Sequence, residues 1–171
     1  MNPIHPALAP LAGAAKVLAS KRDAAAGKAL TEALQGALAR SGEWLRPEHR
    51  IGDPTAYMRH LLYTDPDGDF VMTAITWLPG QRSPVHAHQV WCAFGVAEGQ
   101  LTEERFALPV GDAAPAPTGT STLPTGAVAG LDLDGRLAHR VSNGDTRTLV
   151  SLHLYGVPGE RLTTGINRVF A

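Results

Sequence analysis

Along residues 3–46 the apolar positions recur every three or four residues. Leu11, Ala15 and Leu18 form one stripe, and Leu30, Leu34 and Leu38 a second; this is the spacing of a helical face turned toward a core. Asp23 stands where the second helix needs an oxygen to accept from its first free amides, and Ser41-Gly42 where that helix would stop. Abundant alanine lets such helices lie close to a neighbour, so a helical layer covering one side of a sheet is expected.

From about residue 57 the pattern changes to short strands separated by turns. His60–Thr64 runs into DPDGD, a strong turn signal, and FVMTAITWL follows, rich in β-branched and aromatic residues. PGQRS makes the next turn, a strand carries two histidines, and Glu98-Gly99 leads into QLTEERFAL. Residues 109–120, PVGDAAPAPTGT, read as a Pro/Gly/Ala loop. Strands are expected around 121–133 and 136–142, then the turn Asn143-Gly144-Asp145, then RTLVSLHLYG. Short strands at near-regular spacing predict an all-β sandwich or barrel. The expected organisation is one mainly β domain over residues 1–171, with a helical layer at 3–46 and a barrel at 57–171.

Composition narrows the function classes. The 171 residues carry a net charge of −1, with Lys and Arg scattered rather than clustered, so neither nucleic acid nor an anionic membrane surface is an expected partner. No apolar run approaches the ~20 residues of a membrane span. The N-terminal stretch is broken by Pro3, Pro6 and Pro10 and lacks a basic start, unlike a signal peptide. One cysteine, Cys92, cannot form an internal disulfide, which suits a cytoplasmic location.

Three groups of residues carry chemistry. His86 and His88, at i and i+2 on a strand, point to one face and can share a metal ion. Counting on by two places Cys92 on that face as well, provided the strand is regular. In SLHLYG, Ser151, His153 and Tyr155 alternate with Leu152 and Leu154. One face therefore offers a hydroxyl, an imidazole and a phenol in a row, a possible hydrogen-bond relay or simply a polar strand surface. Tyr57 and Arg59 share a face in the same way. An inward arginine needs an anion, and its fork suits a carboxylate; an outward one would need only a surface acid.

The segment GQRSPVHAHQVWCAFGVAEG, residues 80–99, resembles the first motif of the cupin superfamily, with Cys92 at the position of the usual glutamate. His139-Arg-Val-Ser-Asn143 resembles the second motif. The resemblance implies a double-stranded β-helix, or jelly-roll, barrel preceded by α-helices, with a metal at its mouth held by His86, His88 and His139. Three imidazoles without a carboxylate add no negative charge, and on a six-coordinate iron they leave about three positions for substrate and O2. Zinc would accept the same ligands.

Taken together, Y-x-R at 57–59, WLPGQ-x-SP-x-H-x-H, the missing glutamate, HRV-x-N and S-x-H-x-Y-G resemble the cysteine dioxygenase (thiol dioxygenase) family of the cupins, in its bacterial form. That likeness implies Fe(II) as cofactor, a small thiol and O2 as partners, and a sulfinate as product. It implies that Arg59 grips the substrate carboxylate with Tyr57 beside it, and that Ser151, His153 and Tyr155 orient substrate and oxygen. Members preferring 3-mercaptopropionate commonly carry glutamine at the position of Arg59, so the arginine favours L-cysteine. Arg161 or Arg168 would offer a second carboxylate contact to a dicarboxylic thiol such as mercaptosuccinate. In animal members a cysteine forms a thioether with the active-site tyrosine, which here pairs Cys92 with Tyr155. A cupin that binds a small anion without catalysis is the expectation from a different class.

Overall fold

The computed structural model describes residues 3–108 and 113–170. The two apolar stripes form α1 (Ala9–Lys21) and α2 (Ala24–Ala39), and each of the six residues that define them is buried. Asp23 caps α2 as expected, its Oδ1 accepting from the Ala26 amide at 2.8 Å. The stop falls earlier than Ser41-Gly42, which instead open a further turn, α3 (Ser41–Trp44). Trp44 is buried there and its indole N–H donates to the Ala37 carbonyl at 2.8 Å, an acceptor at the end of α2 that it shares with the Arg40 amide. Among the described residues, no helix is long and apolar enough to cross a membrane.

Ten strands follow: β1 (Met58–Thr64), β2 (Val71–Trp77), β3 (His86–His88), β4 (Cys92–Glu98), β5 (Gln100–Ala107), β6 (Ala116–Pro124), β7 (Val128–Asp132), β8 (Ala138–Ser142), β9 (Leu149–Tyr155) and β10 (Asn167–Val169). They form two five-stranded antiparallel sheets, in the orders β1-β2-β9-β4-β7 and β10-β3-β8-β5-β6. Mainly β, with helices ahead of the sheets, is the architecture that the change in periodicity predicts.

The sequence reading needs three corrections. The expected loop at 109–120 is strand from Ala116 onward, paired along β5 in spite of its prolines; residues 109–112 lie outside the described residues. β6 lies at the end of its sheet's strand order, and an edge is where a sheet tolerates proline. The single strand expected from His86 through Cys92 is two strands in different sheets. Trp91 buries itself in the helix-side core between them, its carbonyl accepting from the Gly156 amide at 3.0 Å. Finally β10 pairs with β3, a strand that the sequence does not announce.

The β9 residues explain why two cores form. Val150, Leu152 and Leu154 join the cluster that holds Leu11, Leu18, Leu30 and Leu34, between the helices and the first sheet. On the opposite face Tyr155 joins Cys92, Phe94, Ile75 and Trp77 inside the barrel. The helices reach the sheet closely. A methyl placed on Gly95 of β4 would lie 2.5 Å from Leu38 Cδ1 and 2.7 Å from the Ala127 carbonyl oxygen. Charge adds a second tie: the Lys16 ammonium on α1 lies 2.8, 2.6 and 2.7 Å from the carboxylates of Asp65, Asp67 and Asp69 in the turn between β1 and β2.

Because a backbone carbonyl cannot step aside as a leucine can, Gly95→Ala is expected to destabilise the protein by about 1–3 kcal/mol. The midpoint of urea unfolding would fall while its slope stays unchanged.

Candidate metal centre

β3 and β8 lie side by side with His86 opposite His139 in register, and alternation along β3 brings His88 to the same face as His86. The three rings meet with centroids 4.6 Å apart for His86–His139, and 5.1 Å for His88 with either partner. One ring nitrogen from each lies within 4.8 Å of the other two, and all three residues are buried. Burial, then the neighbouring His139, lowers the His86 pKa to about 4. Burial and the adjoining histidines lower that of His88 to about 2. Both rings are therefore neutral near pH 7, with lone pairs free to ligate.

The atoms behind these rings decide whether they suit a metal. His86 Nδ1 lies 3.0 Å from the Pro84 carbonyl, so Nδ1 carries the proton and Nε2 the lone pair. His139 Nδ1 lies 2.8 Å from Glu103 Oε1, and its Nε2 is buried with no hydrogen-bond partner among the described residues. His88 Nδ1 is likewise unpartnered, with Asp132 Oδ2 4.0 Å away. A carboxylate or carbonyl behind a ligating imidazole is the usual means of fixing its tautomer and aiming its lone pair. These residues fit a divalent metal. Cys92 stands apart from the cluster, and burial, followed by Asp132 and Glu103, pushes its thiol pKa well up. It remains a protonated thiol.

Facing the histidines is β9. Trp77 Nε1 donates to Ser151 Oγ at 2.9 Å, Ser151 Oγ lies 2.8 Å from His153 Nε2, and His153 Nδ1 lies 3.1 Å from the Tyr155 hydroxyl. The direction of this relay follows from counting protons. Ser151 is fully buried and has one proton to give. Among the described residues His153 Nε2 is the acceptor on offer, and stranding the proton would be costly. Ser151 thus donates to Nε2, His153 donates from Nδ1 to the Tyr155 oxygen, and the Tyr155 proton stays free for another acceptor. Burial holds His153 neutral, well below its usual pKa. It also raises Tyr155 well above its own, against the opposing pull of Arg59. Cys92 sits directly opposite Tyr155 in the β4–β9 register, so its inward position comes from cross-strand pairing and not from a count along β3.

Tyr57 stacks on Trp77 with centroids 4.4 Å apart. Arg59 lies 5.1 Å over the Tyr57 ring and donates to its hydroxyl at 3.3 Å. Its Nε is buried and unpartnered, and it has no salt-bridge acid among the described residues. Arg59, Tyr57, the three histidines, His153 and Tyr155 all line one cavity of about 20 Å3, room for about one water. Arg161 and Arg168 are exposed and do not line it; Arg168 instead lies over the Phe170 ring. Three residues of the site escape a reading of motifs, Glu103, Asp132 and Asn167, while Trp77 heads the WLPGQ motif without a role being assigned to it. Of these, Glu103 leaves a trace, since Leu101 and Glu103 alternate on β5 and are both buried.

Two antiparallel sheets closed around an inward cluster of three histidines define a cupin, the double-stranded β-helix class of metal-binding barrels. Within it, the chain belongs to the cysteine dioxygenase type I family, whose pattern it matches over residues 14–164. That is a family of metalloenzymes acting on a thiol and O2. Among solved structures, the chain resembles an uncharacterised conserved protein with a double-stranded β-helix domain from Klebsiella pneumoniae. The two are 17% identical over 72% of this chain and 92% of the other, with a TM-score of 0.52. It is also similar to the formate complex of Lactobacillus farciminis oxalate decarboxylase, at 15% identity over 68% of this chain and 32% of that one, TM-score 0.49. A third is the Cupin_2 domain of an XRE family transcriptional regulator from Enterobacter cloacae, at 19% identity over 60% and 98%, TM-score 0.44.

Glu103→Gln keeps the shape of the side chain but removes the charge behind His139. Affinity for a divalent metal, measured by competition with a chromophoric chelator, is expected to fall about 10–100-fold.

Proposed function

We propose that the protein is an Fe(II)-dependent thiol dioxygenase that converts L-cysteine to cysteine sulfinate. The observation that carries this reading is Arg59: a half-buried guanidinium without an acidic partner among the described residues, in the cavity lined by three converging imidazoles and the Tyr155 hydroxyl. Such a guanidinium calls for an anion, and a carboxylate meets its fork with two parallel hydrogen bonds. The histidines His86, His88 and His139 would hold the iron, whose chemistry is to bring thiolate and O2 together and pass electrons between them. The balance closes without a further reductant: sulfur gives up four electrons, O2 accepts four, and both oxygen atoms end on sulfur.

The chain's own residues set the geometry of that exchange. Arg59, steadied against the Tyr57 ring, fixes the carboxylate end of the substrate. Tyr155, held by His153 and Ser151, turns its free O–H toward the reacting atoms, and the buried walls exclude bulk water. Nearly all of the lining is buried; Tyr57, Arg59 and Asn167 are its partly exposed members. These three mark the side by which a substrate would enter. Cys92 lies across from Tyr155, and a thioether between them would form with loss of the thiol hydrogen and one ring hydrogen to O2. It would lock the phenol beside the metal.

The purified protein, loaded with Fe(II) anaerobically and then given O2, is expected to consume oxygen with L-cysteine and release the sulfinate. In Arg59→Gln the apparent KM for cysteine should rise at least tenfold, as for loss of a charge-assisted pair. An iron-loaded protein that consumes no O2 with L-cysteine, 3-mercaptopropionate or mercaptosuccinate would refute the dioxygenase reading. Intact mass after aerobic turnover should show two hydrogens fewer in the wild type than in Cys92→Ala treated alike, once the substitution itself is allowed for.

A further inference from the structure

We infer that Asn167 is a specificity residue that recognises the amine of the substrate and so separates α-amino thiol acids from amine-free ones. This inference rests on the dioxygenase reading of the same site. Asn167 lies on β10 directly opposite His88 on β3, while its neighbour Arg168 lies opposite Ala87. Strand alternation thus turns Asn167 toward the histidines and Arg168 away. Asn167 lines the cavity with Arg59 and Tyr155.

What marks the residue is its unspent hydrogen bonding. The Oδ1 atom of Asn167 is buried and accepts from nothing among the described residues. Buried amide oxygens are rarely left so, and in a cavity the natural partner is the ligand. The other uncommitted groups of the lining are donors: Arg59 Nε, unpartnered and buried, and the free O–H of Tyr155. Of the other two hydroxyls of the lining, Tyr57 already accepts from Arg59, and Ser83 is spent, donating to the Pro84 carbonyl and accepting from the Val141 amide. Apart from the metal-directed imidazole nitrogens, the lining therefore offers donors for a carboxylate and one oxygen, Asn167 Oδ1, for an N–H. Its complement is a small molecule with a carboxylate and an amine. A thiol carboxylate without an amine satisfies Arg59 and strands Asn167, and an unpaired buried polar group is how sites reject a near-isostere.

The amide makes no hydrogen bond that the fold needs, so Asn167→Leu should fold and load metal normally, and Asn167→Asp keeps an acceptor oxygen in place. Binding of L-cysteine and 3-mercaptopropionate to the Fe(II) protein would be measured by anaerobic calorimetry, and kcat/KM for each by oxygen uptake. In Asn167→Leu both affinity and kcat/KM for L-cysteine should fall about 10–100-fold, while the values for 3-mercaptopropionate hold or rise, since that thiol no longer strands an amide. Asn167→Asp should restore the preference for cysteine. Equal losses for both thiols, an unchanged cysteine affinity, or a wild-type preference for 3-mercaptopropionate would overturn the inference and leave the dioxygenase reading standing. A wild-type protein that binds and oxidises neither thiol would overturn both.

Discussion

The pairing of β9 between β2 and β4 governs this structure. One strand of seven residues, buried along its whole length, sends alternate side chains to two environments that have nothing in common. Val150, Leu152 and Leu154 face helices and exclude water by apolar packing. Its serine, histidine and tyrosine face the barrel interior and are held by hydrogen bonds to one another and to Trp77. A slip of one residue would put the relay under the helices and the leucines beside the histidines. Two neighbours fix the register at once, seven residue pairs with β2 and six with β4.

Charge is the second constraint. With Cys92 at the glutamate position of the cupin motif, three imidazoles alone would bring no negative charge to a divalent ion. The protein returns that charge at one remove. Glu103 stands behind His139 on the neighbouring strand β5 and Asp132 faces His88, so carboxylates bear on two of the three rings from outside. A protonated thiol in the old ligand position costs nothing in that balance, and it leaves the face toward Tyr155 to packing and cross-strand pairing.

Much of this was legible in the order of residues, for physical reasons that differ from place to place. The helix stripes, the Asp23 cap and the alternation in SLHLYG are local periodicities, and local geometry delivers them. The histidine set was legible through the spacing of two motifs, since β3 and β8 must each present their rings to one point. The break after His88 was not, because Trp91 leaves its strand to fill a core built by helices some fifty to eighty residues earlier. Asn167 and Glu103 were hidden for a related reason: each acts on a histidine it meets only through strand pairing. The prolines of 115–120 misled because a proline is excluded from a sheet interior but tolerated at an edge.

The topology also sets the order in which this site can come into being. His86 and His139 meet in register, yet the whole of β4, β5, β6 and β7 lies between them in the chain, and Trp77 reaches Ser151 across 74 residues. Contacts of such separation form only after the intervening loops have been closed, late in folding. A nascent chain holding β3 but not yet β8 owns two of the three imidazoles and neither the relay nor Glu103 in its place. The metal centre is thus a property of the completed barrel, and tight metal capture reports that folding has finished.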